Sequence, residues 1–214
     1  MITVHGVPGS PFSRAALIVC REKGVEHRLA AIQPGAFRTP EYLAKRHPFG
    51  RMPALDHDGF GLYETQAILR YVDQIGTGPS LVPSDPRVAA RMAQVMGIID
   101  WYFFADGSAK TLVFNRVVAP RLGYPANPDA AVAAIDKTRH CVGVLADLLG
   151  ERPYMAGDAF SLADIHAGPQ FDLMADCDEG RELIAGTPLE AWLAGLAARP
   201  SFQATTWDRL LEAA

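Results

Sequence analysis

The sequence predicts a small mixed α/β domain followed by an all-helical one, and three observations lead there. Short β-favouring runs alternate with helical patterns through roughly the first 75 residues, in the order strand, helix, strand, helix, strand, strand, helix. A stretch rich in breakers follows, Gly76-Thr77-Gly78-Pro79-Ser80 and then Pro83-Ser84-Asp85-Pro86. Beyond it only Ala- and Leu-rich helical periodicity remains. The predicted division is 1–76 for the α/β domain, 77–86 for a linker and 87–214 for the helical domain.

Taken in order, Ile2–His5 is a β-favouring run closed by the turn-like Gly6-Val7-Pro8-Gly9. A helix starts at Pro11, a residue suited to a first helical position, and carries Phe12, Ala16, Val19 and Cys20 at helical spacing until Gly24 stops it. His27–Ile32 is a second strand and Pro40–Arg46 a short helix. Pro53–Asp56 and Gly61–Tyr63 pair as a hairpin around Asp58-Gly59. Glu64–Ile75 is an amphipathic helix with Ile68, Leu69 and Val72 on one face. In the second half, helical patterns run from Pro86 to about Arg121, with Gly107-Ser108 as a kink, then over Pro128–Leu149, Leu162–Met174 and Pro188–Ala198. Ser161-Leu162-Ala163-Asp164 is a capping box with Asp in place of Glu.

A net charge of −4 supplies no electrostatic attraction for nucleic acid or an anionic membrane. No apolar run is long enough to span a bilayer, and Met1–Ser10 lacks the basic and apolar regions of a secretory signal. Three widely spaced cysteines, Cys20, Cys141 and Cys177, form neither a CxxC metal pair nor a disulfide framework. A reduced, cytoplasmic setting is expected.

Three local signals carry chemistry. Ser10 stands where a strand ends and a helix begins, so its hydroxyl either caps the helix or serves an anion held over the helix N-terminus. Ser13, one turn further in, competes for that role, but only the first turn aims N–H groups at a ligand. Met52-Pro53 opens an apparent strand, where a cis bond would leave the N–H and C=O of Met52 facing outward for an extended, peptide-like ligand. Glu64-Thr65 marks another helix start, where a hydroxyl and N-terminal N–H groups suit a carboxylate and Glu64 suits an ammonium group. An ordinary helix cap is the alternative at this last position.

The segments SPFSRAALIV, HPFGRMPAL, LYETQAILRYV, GDAFSLADI and RPSFQAT, in this order and spacing, make the chain resemble a cytosolic glutathione transferase along nearly its whole length. It is most similar to the serine-type members, of the phi and tau kind, in a bacterial-style version. The resemblance implies a thioredoxin-like N-terminal domain that binds glutathione, an all-α C-terminal domain that contributes the electrophile site, and a homodimer. It also implies a detoxifying transferase that conjugates the glutathione thiolate to small hydrophobic electrophiles, with glutathione as co-substrate and no metal. Ser10 falls at the catalytic hydroxyl, Met52 and Pro53 at the backbone pairing site for the cysteinyl part, and Glu64 and Thr65 at the pair holding the γ-glutamyl end. Arg38 lies near the position that meets the glycyl carboxylate, Arg51 stands where a glutamine is often found, and His47 where an asparagine is common. Phe12, Trp101 and Phe104 are the candidates for the electrophile side. Cys20, at an apolar helical position, is a buried hydrophobe, and Ser161 with Asp164 matches a structural helix cap. Two other readings stay open on the same fold: a glutathione-dependent peroxidase, isomerase or dehalogenase, and a non-catalytic interaction module.

Overall fold

Ile2 and Val4 are wholly buried because β1 (Ile2–Gly6) forms the middle of a sheet, with strands on both sides. In a computed structural model that describes residues 1–33 and 35–213, the sheet order is β2-β1-β3-β4, with β2 at His27–Ala31, β3 at Ala54–His57 and β4 at Phe60–Tyr63. β1 and β2 run parallel, which requires a crossover, and α1 (Pro11–Glu22) supplies it. β3 pairs antiparallel with both β1 and β4. The β3–β4 turn holds Asp58 at φ 53° and Gly59 at φ 86°, the paired positive values that match the strand twist in two-residue hairpins. Pro53 lies just before β3, outside the ladder; a residue without an N–H has no place inside it.

α2 (Pro40–Lys45) is capped by the Thr39 hydroxyl, and α3 (Thr65–Ile75) packs beside α1. Ile18 and Val19 of α1 and Ile68, Leu69 and Val72 of α3 are all wholly buried. Lys23 and Asp73 close the far end as a buried pair 3.0 Å apart. Lys23 Nζ also donates to Pro79 O at 2.7 Å, and Asp73 accepts from the Leu81 N–H at 2.9 Å. Two charges can stay inside here because their remaining hydrogen-bonding capacity is met. Met1–Val82 forms one compact unit together with the chain from Ala198 on. That last stretch, assigned to the helical domain on sequence grounds, carries α12 (Pro200–Gln203) and α13 (Trp207–Glu212).

The second unit, Pro83–Ala197, is helical. Its centre is α9 (Leu162–Met174), in which every residue from Leu162 to Phe171 is buried. The capping box is formed as expected. Asp164 accepts from the N–H groups of Ser161 (2.9 Å) and Met155 (2.8 Å), from the Ser161 hydroxyl (3.0 Å) and from Trp192 Nε1 (2.9 Å). Burial still pushes its carboxyl above the usual range, against the pull of those four donors. The long helical pattern expected between Pro86 and Arg121 is broken. α4 (Pro86–Ile98) widens into π-helical geometry over Ile99–Phe103, bends at Gly107 (φ 75°) and resumes as α5 (Ala109–Val113). A second π-helical turn, Phe114–Val118, leads into α6 (Ala119–Leu122). The 128–149 pattern divides at Ala134 into α7 (Pro128–Ala133) and α8 (Ile135–Leu149). α10 (Asp178–Ile184), which sequence periodicity does not reveal, and α11 (Pro188–Ala197) complete the unit. No helix among the described residues is long and apolar enough to cross a membrane.

Candidate functional site

The strand register brings three of the sequence signals to one end of the sheet. His5 of β1 sits opposite Ala54 of β3, and Ala54 sits opposite Tyr63 of β4. The chain leaving β1 toward Ser10, the Met52-Pro53 step entering β3 and the Glu64-Thr65 step leaving β4 therefore share that end.

Ser10 is the N-cap of α1 in an extended conformation, with its own N–H bonded to Val7 O at 3.0 Å. Its Oγ accepts from the Ser13 N–H at 3.3 Å, so the cap is real. Capping uses a lone pair and leaves the hydroxyl proton for another acceptor, so both roles are available to Ser10. Ser13 differs in access. It is wholly buried, its Oγ has no partner among the described residues, and a Cβ built on Gly6 would come within 2.2 Å of that oxygen. Ser13 is thus pressed against the end of β1, while Ser10 is half-exposed. Burial pushes the Cys20 thiol up to about 12, which removes it as a nucleophile.

The Met52–Pro53 peptide bond is cis. Neither the N–H nor the C=O of Met52 takes a hydrogen bond among the described residues, and the preceding carbonyl, of Arg51, accepts from the Tyr42 hydroxyl at 2.9 Å. Glu64 holds φ at 70°, a conformation L side chains rarely adopt, and makes no side-chain cap bond to α3. Ordinary capping therefore does not explain it. A non-glycine residue held in such a region costs on the order of 1–3 kcal/mol and persists where the surroundings impose it, commonly at functional sites. Thr65 follows as the first residue of α3, buried and with no hydrogen bond to its hydroxyl among the described residues.

His47, noted in the sequence only as a departure from asparagine, belongs to this region. Its ring lies 4.8 Å from that of Tyr63, and Nε2 is 3.7 Å from Glu64 Oε1. Burial lowers the His47 pKa, and nearby Arg51 lowers it further against the opposing pull of Glu64. The lowered pKa disfavours an ion pair between His47 and the Glu64 carboxylate, which is 67% exposed and open to a ligand. Arg51 is exposed at the same loop. Arg38 is also exposed, its guanidinium 5.4 Å from the Phe37 ring centre, and the strand register does not tie it to this sheet end. Phe12 is half-buried in the first turn of α1. In the helical unit Trp101 is 78% exposed on the first π-helical turn, Phe103 is buried and Phe104 half-buried. Among the described residues no group of three or more His, Cys, Asp or Glu side chains is placed to hold a metal ion.

Residues 4–80 match the family model described as glutathione S-transferase, N-terminal domain. Glutathione S-transferase F14 of Arabidopsis thaliana is 31% identical over 198 residues, covering 89% of this chain and 77% of the relative. Glutathione S-transferase 3 of Zea mays is 32% identical over 213 residues, covering 95% and 92%. The crystal structure of glutathione transferase F7 from Populus trichocarpa superimposes with a TM-score of 0.83 at 26% identity, covering 96% of this chain and 97% of that one. With a thioredoxin-like sheet unit, a helical unit and this degree of identity over most of both chains, the protein belongs to the glutathione S-transferase family.

Proposed function

We propose that the protein is a serine-type enzyme that binds glutathione at the sheet end described above and transfers its thiolate to a small hydrophobic electrophile. The observation that carries this is the register, which gathers a half-exposed hydroxyl, an unpaired backbone N–H and C=O, and a charged carboxylate beside a helix N-terminus. The Met52 backbone pairs with the cysteinyl residue as one more short strand would. Glu64 takes the α-ammonium of the γ-glutamyl end, while Thr65 and the first N–H groups of α3 take its α-carboxylate. Arg51 and Arg38 supply positive charge for the glycyl carboxylate.

Ser10 then faces the sulfur. A free thiol with a pKa near 8.5 is only about 3% thiolate at pH 7, and lowering that value by two units takes about 2.7 kcal/mol. A hydrogen bond from a hydroxyl to an anion supplies roughly 1.5–3 kcal/mol, and the end of a helix about 0.3–1 more. The arrangement is large enough for the task. Ser10 donates a hydrogen bond and does not attack; the sulfur forms the new bond to carbon as the leaving group departs with the electron pair. Phe12, in the first turn of α1, serves the electrophile side.

Titration calorimetry with reduced glutathione tests the reading, with binding expected below millimolar concentration. No heat at millimolar glutathione would favour a non-catalytic module. The proposed assembly is a cytoplasmic homodimer, expected to show twice the chain mass in light scattering at micromolar concentration; a monomer mass would refute it.

A further inference from the structure

The chain from Ala198 on lies antiparallel along α1 and is fastened to it at successive points. At the C-terminal end of α1, Arg199 donates to both carboxylate oxygens of Glu22, from Nε at 3.0 Å and Nη2 at 2.8 Å, and the Ser201 hydroxyl donates to the same group. Nearer the start of α1, the buried Arg14 donates to Phe202 O at 3.0 Å and to Thr205 Oγ1 at 3.4 Å, with its guanidinium 5.7 Å from the Phe202 ring centre. Two residues further along, Trp207 reaches the loop before α1. A Cβ built on Gly9 would fall 2.4–2.8 Å from three atoms of the indole, so that ring occupies the space a side chain at Gly9 would need. Gly9 is covalently next to Ser10.

We propose that Trp207 is a positioning residue: its indole, braced by the clasp along α1, holds the Val7–Ser10 turn and so aims the Ser10 hydroxyl. The proposal rests on the reading of Ser10 as donor to the glutathione sulfur. Glu22, Arg14, Arg199, Ser201 and Thr205 supply polar anchoring of the clasp, so truncating Trp207 leaves those bonds in place and removes the wall behind Gly9. A hydroxyl that wanders donates less of the time, and the bound thiol loses part of its acidity without losing the contacts that bind glutathione.

A double-mutant cycle on the full chain tests this, using Trp207→Ala, Ser10→Ala and the double variant, with kcat measured against pH for a generic electrophile and melting temperature recorded throughout. Trp207→Ala is expected to lower kcat at pH 7 about three- to fivefold, to leave the KM for glutathione within about twofold, and to shift the kcat profile upward in pH as Ser10→Ala does. In the Ser10→Ala background the same change is expected to have almost no further effect. Trp207→Phe, expected to retain most of the activity, takes over the cycle if the alanine variant fails to fold, and its smaller loss must then also vanish without Ser10. Equal fold-losses in both backgrounds, or a changed KM with an unmoved pH profile, would overturn the proposal. A Ser10→Ala variant that matches wild type in turnover and pH profile overturns the underlying reading instead, and the two failures are distinct.

Discussion

Replacing Ser10 with Ala is expected to lower turnover at pH 7 by at least about tenfold, equivalent to roughly 1.4 kcal/mol of transition-state stabilisation, while glutathione affinity changes little. The split follows from the geometry. The Met52 backbone, Glu64 and Thr65, which hold the tripeptide in the proposed site, lie on other loops and are untouched, whereas the one hydroxyl facing the sulfur is lost. In the proposed mechanism Ser10 lowers the bound thiol's pKa by stabilising the thiolate, so its removal is expected to raise that pKa and move the rise of kcat to higher pH. Part of the loss is therefore recovered as pH increases and the thiolate forms unaided. Ser13→Ala is the control. It removes a buried hydroxyl with no partner among the described residues, so stability is expected to hold or improve, and turnover to stay near wild type. Full activity in Ser10→Ala together with a crippled Ser13→Ala would reverse the assignment.

Glu64→Gly is expected to move binding and stability in different directions. The carboxylate proposed to hold the glutathione ammonium is lost, and a charge-assisted hydrogen bond of about 1.5–3 kcal/mol goes with it. Two-thirds exposure lets solvent screen that interaction, so the lower end applies and affinity is expected to fall about tenfold. Glycine, however, tolerates the φ of 70° that glutamate holds at a cost on the order of 1–3 kcal/mol. The glycine variant gives back about 0.5–1 kcal/mol in unfolded-chain entropy, so its melting temperature is expected to stay level or rise. Calorimetry and thermal melting on one preparation read both quantities. Unchanged affinity would remove Glu64 from the site; a lower melting temperature would show that its backbone conformation is not strained.

What could be read from the chain alone was local chemistry. Ser10-Pro11, Met52-Pro53, Glu64-Thr65 and Ser161–Asp164 each mark a junction with residues whose preferences act within three or four positions, and the structure has a junction at each. The π-helical turns at Ile99–Phe103 and Phe114–Val118 escaped because apolar spacing reports which face is buried, and one widened turn barely alters that pattern over a short window. The role of His47 was hidden since its relation to Glu64 depends on two loops meeting at the sheet end. The clasp along α1 was hidden for the same reason at greater range. Arg14 and Glu22 look like the solvent face of a helix until Phe202, Thr205, Arg199 and Ser201 cover them, nearly the whole chain length away. Trp207 was hidden in the same way, since its approach to Gly9 joins opposite ends of the sequence.

Because the sheet unit takes its last pieces from beyond Ala198, a unit whose strands all lie before Val82 is finished only after the helical unit has been synthesised. At ordinary synthesis rates of roughly 5–20 residues per second, the intervening helical segment delays the closing stretch by on the order of ten seconds. During that interval α1 exposes Arg14 and Glu22 without their later cover, and the nascent chain presents a surface that the mature protein does not. Growth from the ribosome thus makes completion of the sheet unit depend on its last-made segment: a premature stop between Val82 and Ala198 leaves that unit translated but unsealed.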